Sequence, residues 1–126
     1  MNLDFASEQV FYNYTNHTMH PTLAELQWWF GRKYYEVIVT SAYRSGGTGV
    51  HSSLPYFRGL DLRSYIFAHP EDMEKDINKV WFYDPDRPKM RCCKYHEVID
   101  PKTNKSKGLH FHLQVDVRNT TYIGGN

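Results

Sequence analysis

Near the end of the chain, Leu109-His110-Phe111-His112-Leu113-Gln114-Val115 alternates strictly between apolar and polar residues. Successive side chains of a strand point to opposite faces, so this pattern reads as a half-buried β-strand. Leu109, Phe111, Leu113 and Val115 belong on a core, and His110, His112 and Gln114 look together into a cleft or solvent. Neutral imidazole is the commonest metal ligand and a frequent general base. The pair therefore raises the question of what else the chain supplies to the same face.

The remaining elements follow from local signals. Residues 1–20 are polar and aromatic without a clear period and read as an N-terminal arm or short strand laid over the core. Thr22-Leu23-Ala24-Glu25 has the form of a capping box opening a helix, with Leu23, Leu26 and Phe30 at helical spacing behind it. Val37-Ile38-Val39-Thr40 is a β-branched run that predicts a buried strand. Leu60 and Leu62 alternate with Asp61 and Arg63 in a second. His69-Pro70-Glu71-Asp72 opens a second helix carrying Met73, Ile77, Val80 and Trp81, and Asp84-Pro85-Asp86-Arg87-Pro88 ends it. Met90–Ile99 and Leu109–Val117 read as strands joined by a long hairpin loop. At 126 residues the expected arrangement is a single α+β domain spanning 1–126, a small and mainly antiparallel sheet with two packed helices.

Composition excludes several classes of function. A net charge of +1 argues against broad electrostatic binding of nucleic acid or membrane. Lys102, Lys105 and Lys107 sit in the hairpin loop, where a solvated tip accounts for them. No segment is long enough to span a bilayer, and Met1-Asn2-Leu3-Asp4-Phe5 lacks the basic and apolar regions of a signal peptide. The expectation is a protein that is cytoplasmic as synthesised. Cys92 and Cys93 are adjacent, which disfavours a mutual disulfide and suggests a reducing compartment. Beside His96 they lack the order and spacing of a thiol triad.

Four positions on strands or at their ends carry chemistry: Arg44, His51, Asp61 and the pair His110/His112. A catalytic zinc needs about three N or O ligands and one open position. His51, Asp61 and one of the late histidines meet that count. Taken singly, Asp61 can instead pair with Arg58 or Arg63, and His51, which follows a glycine-rich loop, can simply be exposed. Trp28 and Trp29 can line a groove, with one of them in the core, and Tyr43 and Tyr56 can border the cleft or pack.

Ser41-Ala42-Tyr43-Arg44-Ser45-Gly46, His51, Arg58-Gly59-Leu60-Asp61-Leu62-Arg63 and His110-Phe111-His112 together resemble the zinc D,D-carboxypeptidase and endolysin peptidases. That family shares its fold with the lysostaphin-type peptidases and the hedgehog signalling domain. The resemblance covers roughly residues 37 to 118 and holds in order and segment length, though each motif is short. It implies a hedgehog-like, D,D-peptidase-like fold and a Zn2+ site formed by His51, Asp61 and His112. It further implies that Arg44 binds a substrate carboxylate or carbonyl oxygen, with Tyr43 beside it, and that His110 acts as base or transition-state stabiliser. Two departures stand out. Asp61 follows His51 by ten residues, against a family spacing of seven, with the excess in Ser52–Phe57. The carboxypeptidase branch also carries an acid three residues before its last zinc histidine, where this chain has Leu109; the base then falls to His110, Glu97 or His96.

The activity implied is zinc-assisted hydrolysis of a peptide bond in peptidoglycan, of D-Ala-D-Ala, L-Ala-D-Glu or cross-bridge type. The enzyme would be phage-encoded and reach the cell wall by release or injection. The alternative from another class is a peptidase-like module kept for structure or binding. A metal-dependent nuclease using the same residues is disfavoured by the neutral charge.

Overall fold

A computed structural model describes residues 1–100 and 102–119. Three helices and seven strands follow in the order β1 (Asn2–Phe5), α1 (Glu8–Thr15), β2 (Thr18–Met19), α2 (Pro21–Tyr34), β3 (Glu36–Ser41), β4 (Tyr56–Phe57), β5 (Gly59–Arg63), α3 (Pro70–Val80), β6 (Cys93–Ile99) and β7 (Ser106–Gln114). Five strands form one sheet in the order β1-β3-β5-β7-β6. The β1–β3 pair is parallel and the other three pairs are antiparallel. The α+β class and the mainly antiparallel sheet are as expected.

The helix number differs. The N-terminal segment is not a simple arm: it contributes an edge strand, a third helix and the short strand β2, which pairs with β4. Helix α1 buries no residue fully, so no apolar stripe announces it. Its signals are the Ser7 side chain, which accepts from the Val10 amide, and aromatic contacts of Phe5 with Phe11 and Tyr14 at 5.0 and 4.9 Å. Helix α2 also begins differently. Its N-cap is His20, whose Nδ1 accepts from the Thr22 amide, while the Thr22 hydroxyl donates to the Asn119 carbonyl instead of closing a capping box.

The core lies on one face of the sheet. Leu23, Leu26 and Phe30 of α2 and Met73 and Ile77 of α3 meet Val37, Val39, Leu60, Leu62, Phe111 and Leu113. Phe30 and Phe111 pack edge to face at 5.7 Å. Trp28 is exposed, and Trp29 packs against the core beside Trp81. Asn78 of α3 accepts from the Cys93 amide at 3.0 Å and donates to its carbonyl at 2.9 Å, and Glu74 accepts from the Tyr95 amide. These side chains cover part of the otherwise open edge of β6. Both cysteines are buried and free, and burial pushes the Cys92 thiol up to about 12, which suits a packed thiol and not a nucleophile. No helix among the described residues is long and apolar enough to cross a membrane.

The opposite face of the sheet carries the polar residues of β5 and β7. Asp61 and Arg63 of β5, with His110, His112 and Gln114 of β7, share it, as strand alternation requires.

Candidate metal centre

Asp61 sits in the middle of β5 and stands directly opposite His112 of β7 in the antiparallel register. His112 Nδ1 lies 2.8 Å from Asp61 Oδ1. The third member comes from outside the sheet. His51 occupies a 3-10 turn, Val50–Ser52, and its Nε2 lies 3.2 Å from the same Asp61 oxygen. One ligand atom from each of the three residues lies within 4.8 Å of the others, and His51 and Asp61 are buried.

The long interval between His51 and Asp61 is closed at its base. The Arg58 amide donates to the Val50 carbonyl at 2.7 Å, so the extra length in Ser52–Phe57 leaves and returns between His51 and β5. Within that excursion Tyr56–Phe57 pairs with β2, which anchors the loop on the N-terminal segment. Gly59 lets the turn approach β5. A Cβ there would collide with Val50 Cγ2 and stand 3.2 Å from His51 Cδ2. Gly59 is a site-forming residue that the motif alone did not single out.

Asp61 does not pair with Arg58 or Arg63. Arg58 is turned to the Val115 carbonyl, Ser53 and Tyr83, and Arg63 lies over the Tyr65 ring. Burial pushes the Asp61 carboxyl up. Hydrogen bonding to His112 and then His51, with their positive charge, outweighs it and holds the group well below the ordinary carboxylate range. Asp61 is therefore an ionised, acceptor-only group.

The outer nitrogens of both histidines are occupied. His51 Nδ1 lies 2.7 Å from the Ala42 carbonyl oxygen, so that nitrogen carries the proton. His112 Nε2 lies 3.0 Å from Gln114 Oε1, and Gln114 Nε2 donates to the Arg91 carbonyl at 3.0 Å, which fixes the amide orientation. His112 therefore donates through Nε2. In neutral imidazoles this leaves the lone pairs of His51 Nε2 and His112 Nδ1 facing a carboxylate oxygen. Three acceptors in a buried site need a cation between them, either protons or a metal. Around a tetrahedral zinc with bonds of about 2.1 Å, donors stand about 3.4 Å apart, so the cluster suits such an ion with little movement. The three residues form a possible metal site, with its outer hydrogen bonds in place.

Two clefts adjoin it. The larger, about 480 Å³, is lined by His51, His112, Arg44 and the glycine-rich loop from Ser45 to Gly49. The smaller, about 270 Å³, is lined by Asp61, Arg63, His110, Arg44, Thr40 and Ala6, with Ser41 between them. Arg44 borders both. His110 is half-buried, and its Nδ1 lies 3.1 Å from the Gly108 carbonyl, which leaves Nε2 as the acceptor nitrogen. His96 of β6 pairs with His110 in register, and its ring stands 5.8 Å from that of His112. Burial, and then the charge of His112, push the His96 imidazole below its ordinary value. Tyr43 is placed elsewhere: it stacks on His17 at 3.7 Å and is not among the residues lining either cleft. Leu109 shares the parity of Phe111 and Leu113, so position 109 belongs to the face opposite the histidines.

Comparison with models of protein families, with curated proteins and with solved structures finds no match to this chain.

Proposed function

We propose that the chain is a zinc-dependent peptidase that hydrolyses peptidoglycan stem peptides, at a bond of the D-Ala-D-Ala or L-Ala-D-Glu type. One observation carries the reading. His51 Nε2, His112 Nδ1 and the Asp61 carboxylate converge on one point while the outer nitrogens of both imidazoles are held by Ala42 and Gln114. Three N/O ligands beside open clefts are the donor set of a catalytic zinc; structural sites are closed by a fourth protein ligand. A zinc ion held there would polarise a carbonyl and lower the pKa of a water molecule.

The chain's own residues supply the rest. Arg44, at the border of the two clefts, offers forked donors to a carbonyl or carboxylate oxygen of the peptide. His110 Nε2 is the nitrogen able to accept a proton in the smaller cleft, with Nδ1 oriented by Gly108. His96, whose ring stands 5.8 Å from that of His112, is the second imidazole in reach of the site. These two stand in for the acid that the related carboxypeptidases carry where this chain has Leu109. A protein of this kind acts on the wall after release or injection from the cell that makes it, as a phage lysis enzyme does.

A second reading is favoured by Leu109 itself: a peptidase-like module that binds metal and cell-wall peptide without cutting. A muropeptide digest read by mass spectrometry, alongside metal analysis, separates the two. The peptidase reading expects about one zinc per chain, a defined cleavage product, and loss of both in His51→Ala, Asp61→Ala and His112→Ala. Zinc without any product supports the binding module. Unchanged metal content in all three variants removes the site assignment.

A further inference from the structure

We infer that Arg58 is a positioning residue for the metal centre, clamping the turn that delivers His51 to the strand that delivers His112. Its effect on a bound ion rests on the metal-centre reading; the clamp itself rests on the bonds of this one side chain and its backbone. Arg58 brackets His51. Its amide donates to the carbonyl of Val50, the residue before the ligand, at 2.7 Å. Its Nε donates to Ser53 Oγ, two residues after the ligand, at 3.0 Å. On the other side Nη1 donates to the Val115 carbonyl at 2.8 Å, and the Arg58 carbonyl accepts from the Val115 amide at 3.1 Å. Val115 directly follows Gln114, whose side chain orients His112. One residue thus joins both flanks of His51 to the strand of the other imidazole.

The residue type is used for its shape. Among the described residues Arg58 has no carboxylate partner, whereas Arg87, Arg91 and Arg118 each hold one. Its side-chain acceptors are Ser53, Val115 and, at 3.2 Å, the Tyr83 hydroxyl, all neutral oxygens. A planar fork reaches acceptors on three segments at once, which the compact ammonium of lysine does not. The turn it holds has two flanks. On the flank toward the larger cleft, the Arg44 amide donates to the His51 carbonyl at 2.9 Å, the Ser52 hydroxyl to the Arg44 carbonyl, and His51 Nδ1 to the Ala42 carbonyl. On the other flank, the Ser53 hydroxyl bonds Arg58 and nothing else among the described residues. The chain is next held at Tyr56–Phe57, where it pairs with β2. Without the clamp a single flank fixes the turn, and His51 is free to pivot about it away from Asp61.

The test reads His51 directly. Nitrogen-15 NMR of the metal-free full chain reports the tautomer and hydrogen bonding of each imidazole, and His20, held by Thr22 and Val117, is the internal reference. Ser53→Ala removes one hydroxyl at a partly exposed position, and Arg58→Met keeps the apolar stem without the fork. Both are expected to move the His51 ring signals toward those of a free, tautomer-averaged imidazole, to leave those of His20 in place, and to weaken zinc binding about tenfold. Ser53→Thr, which retains the hydroxyl, should keep both readouts at wild type. Tyr83→Phe removes an acceptor away from the turn. It should lower Tm yet keep the His51 signals and the zinc affinity, because the Val115 carbonyl still holds Nη1. Unmoved His51 signals or unchanged zinc affinity in both Ser53→Ala and Arg58→Met overturns the clamp. So does an equal shift in Tyr83→Phe, which marks general loosening. A wild-type chain that binds no zinc, but whose His51 signals move in Ser53→Ala, keeps the clamp and loses the metal-centre reading.

Discussion

His112 Nε2 lies 3.0 Å from Gln114 Oε1, two residues along the same strand face, and this contact decides which nitrogen of His112 meets Asp61. Gln114 can serve only as acceptor there, because its own amide nitrogen is engaged by the Arg91 carbonyl. The Ala42 carbonyl does the same for His51 from the end of β3. Ligand orientation is thus set by groups outside the ligand set, and those groups can be removed without touching a ligand.

Gln114→Ala is expected to weaken zinc binding by about 10–100-fold, since a freed imidazole loses its preferred tautomer and its fixed ring angle. Gln114→Glu, which keeps an acceptor at the same reach, should retain most of the affinity. Competition against a chromophoric chelator measures both. Wild-type affinity in Gln114→Ala would show that His112 is oriented by something else.

Zinc should also stabilise the fold, because the site exists only when β5, β7 and the Val50–Ser52 turn are assembled. A ligand at about a thousandfold excess over its Kd adds about 4 kcal/mol. For a domain of this size that corresponds to a rise in Tm of about 15 °C. The rise should vanish in His51→Ala and Asp61→Ala. A thermal scan with and without zinc, run against magnesium as a control, reads the effect directly.

Much of this arrangement was legible in the chain because it is written in period-two alternation. Leu109–Val115 and Leu60–Leu62 each fix which residues share a face, and a shared face on paired strands brings Asp61 opposite His112. The third ligand, His51, lies on no periodic element. Its place was carried by the resemblance of the surrounding motif and not by a pattern. Helix α1 escaped the reading because its residues pack at their edges and leave no buried stripe, so helical periodicity had nothing to report. Contacts between distant parts of the chain were illegible for another reason: the hydrogen bonds of Asn78 to the Cys93 backbone and of Thr22 to Asn119, and the stacking of Tyr43 on His17, join residues through geometry that only the fold supplies.

Acid should unfold the metal-free chain through Asp61. Its carboxyl is held below the ordinary value of 3.8 in the folded state, so its contribution to stability is complete above that value. The contribution is lost as the pH falls from about 4 toward the folded-state value, where the unfolded chain takes up a proton that the folded one resists. Asp61→Asn removes the titrating group. The variant should be less stable near neutral pH but show a flatter decline below pH 4, in Tm measured across an acid series with chelator present. Parallel acid limbs for the two proteins would place the acid sensitivity elsewhere.

Gly59 is where backbone packing and the metal centre meet most directly. A methyl group there has no room: it would strike Val50 Cγ2 and crowd the His51 ring, and both residues belong to the turn that delivers the third ligand. The β5–β7 register, by contrast, is held by the core side chains Leu60, Leu62, Phe111 and Leu113. Gly59→Ala should therefore displace the turn while leaving the sheet assembled, lowering zinc affinity by about tenfold or more with little change in far-UV circular dichroism. Trimming the obstruction reverses the logic. In the Val50→Ala/Gly59→Ala double variant the collision with Cγ2 is gone, the turn can return, and most of the affinity should return with it. If the double variant binds zinc no better than Gly59→Ala alone, the close approach of Val50 is not what positions His51.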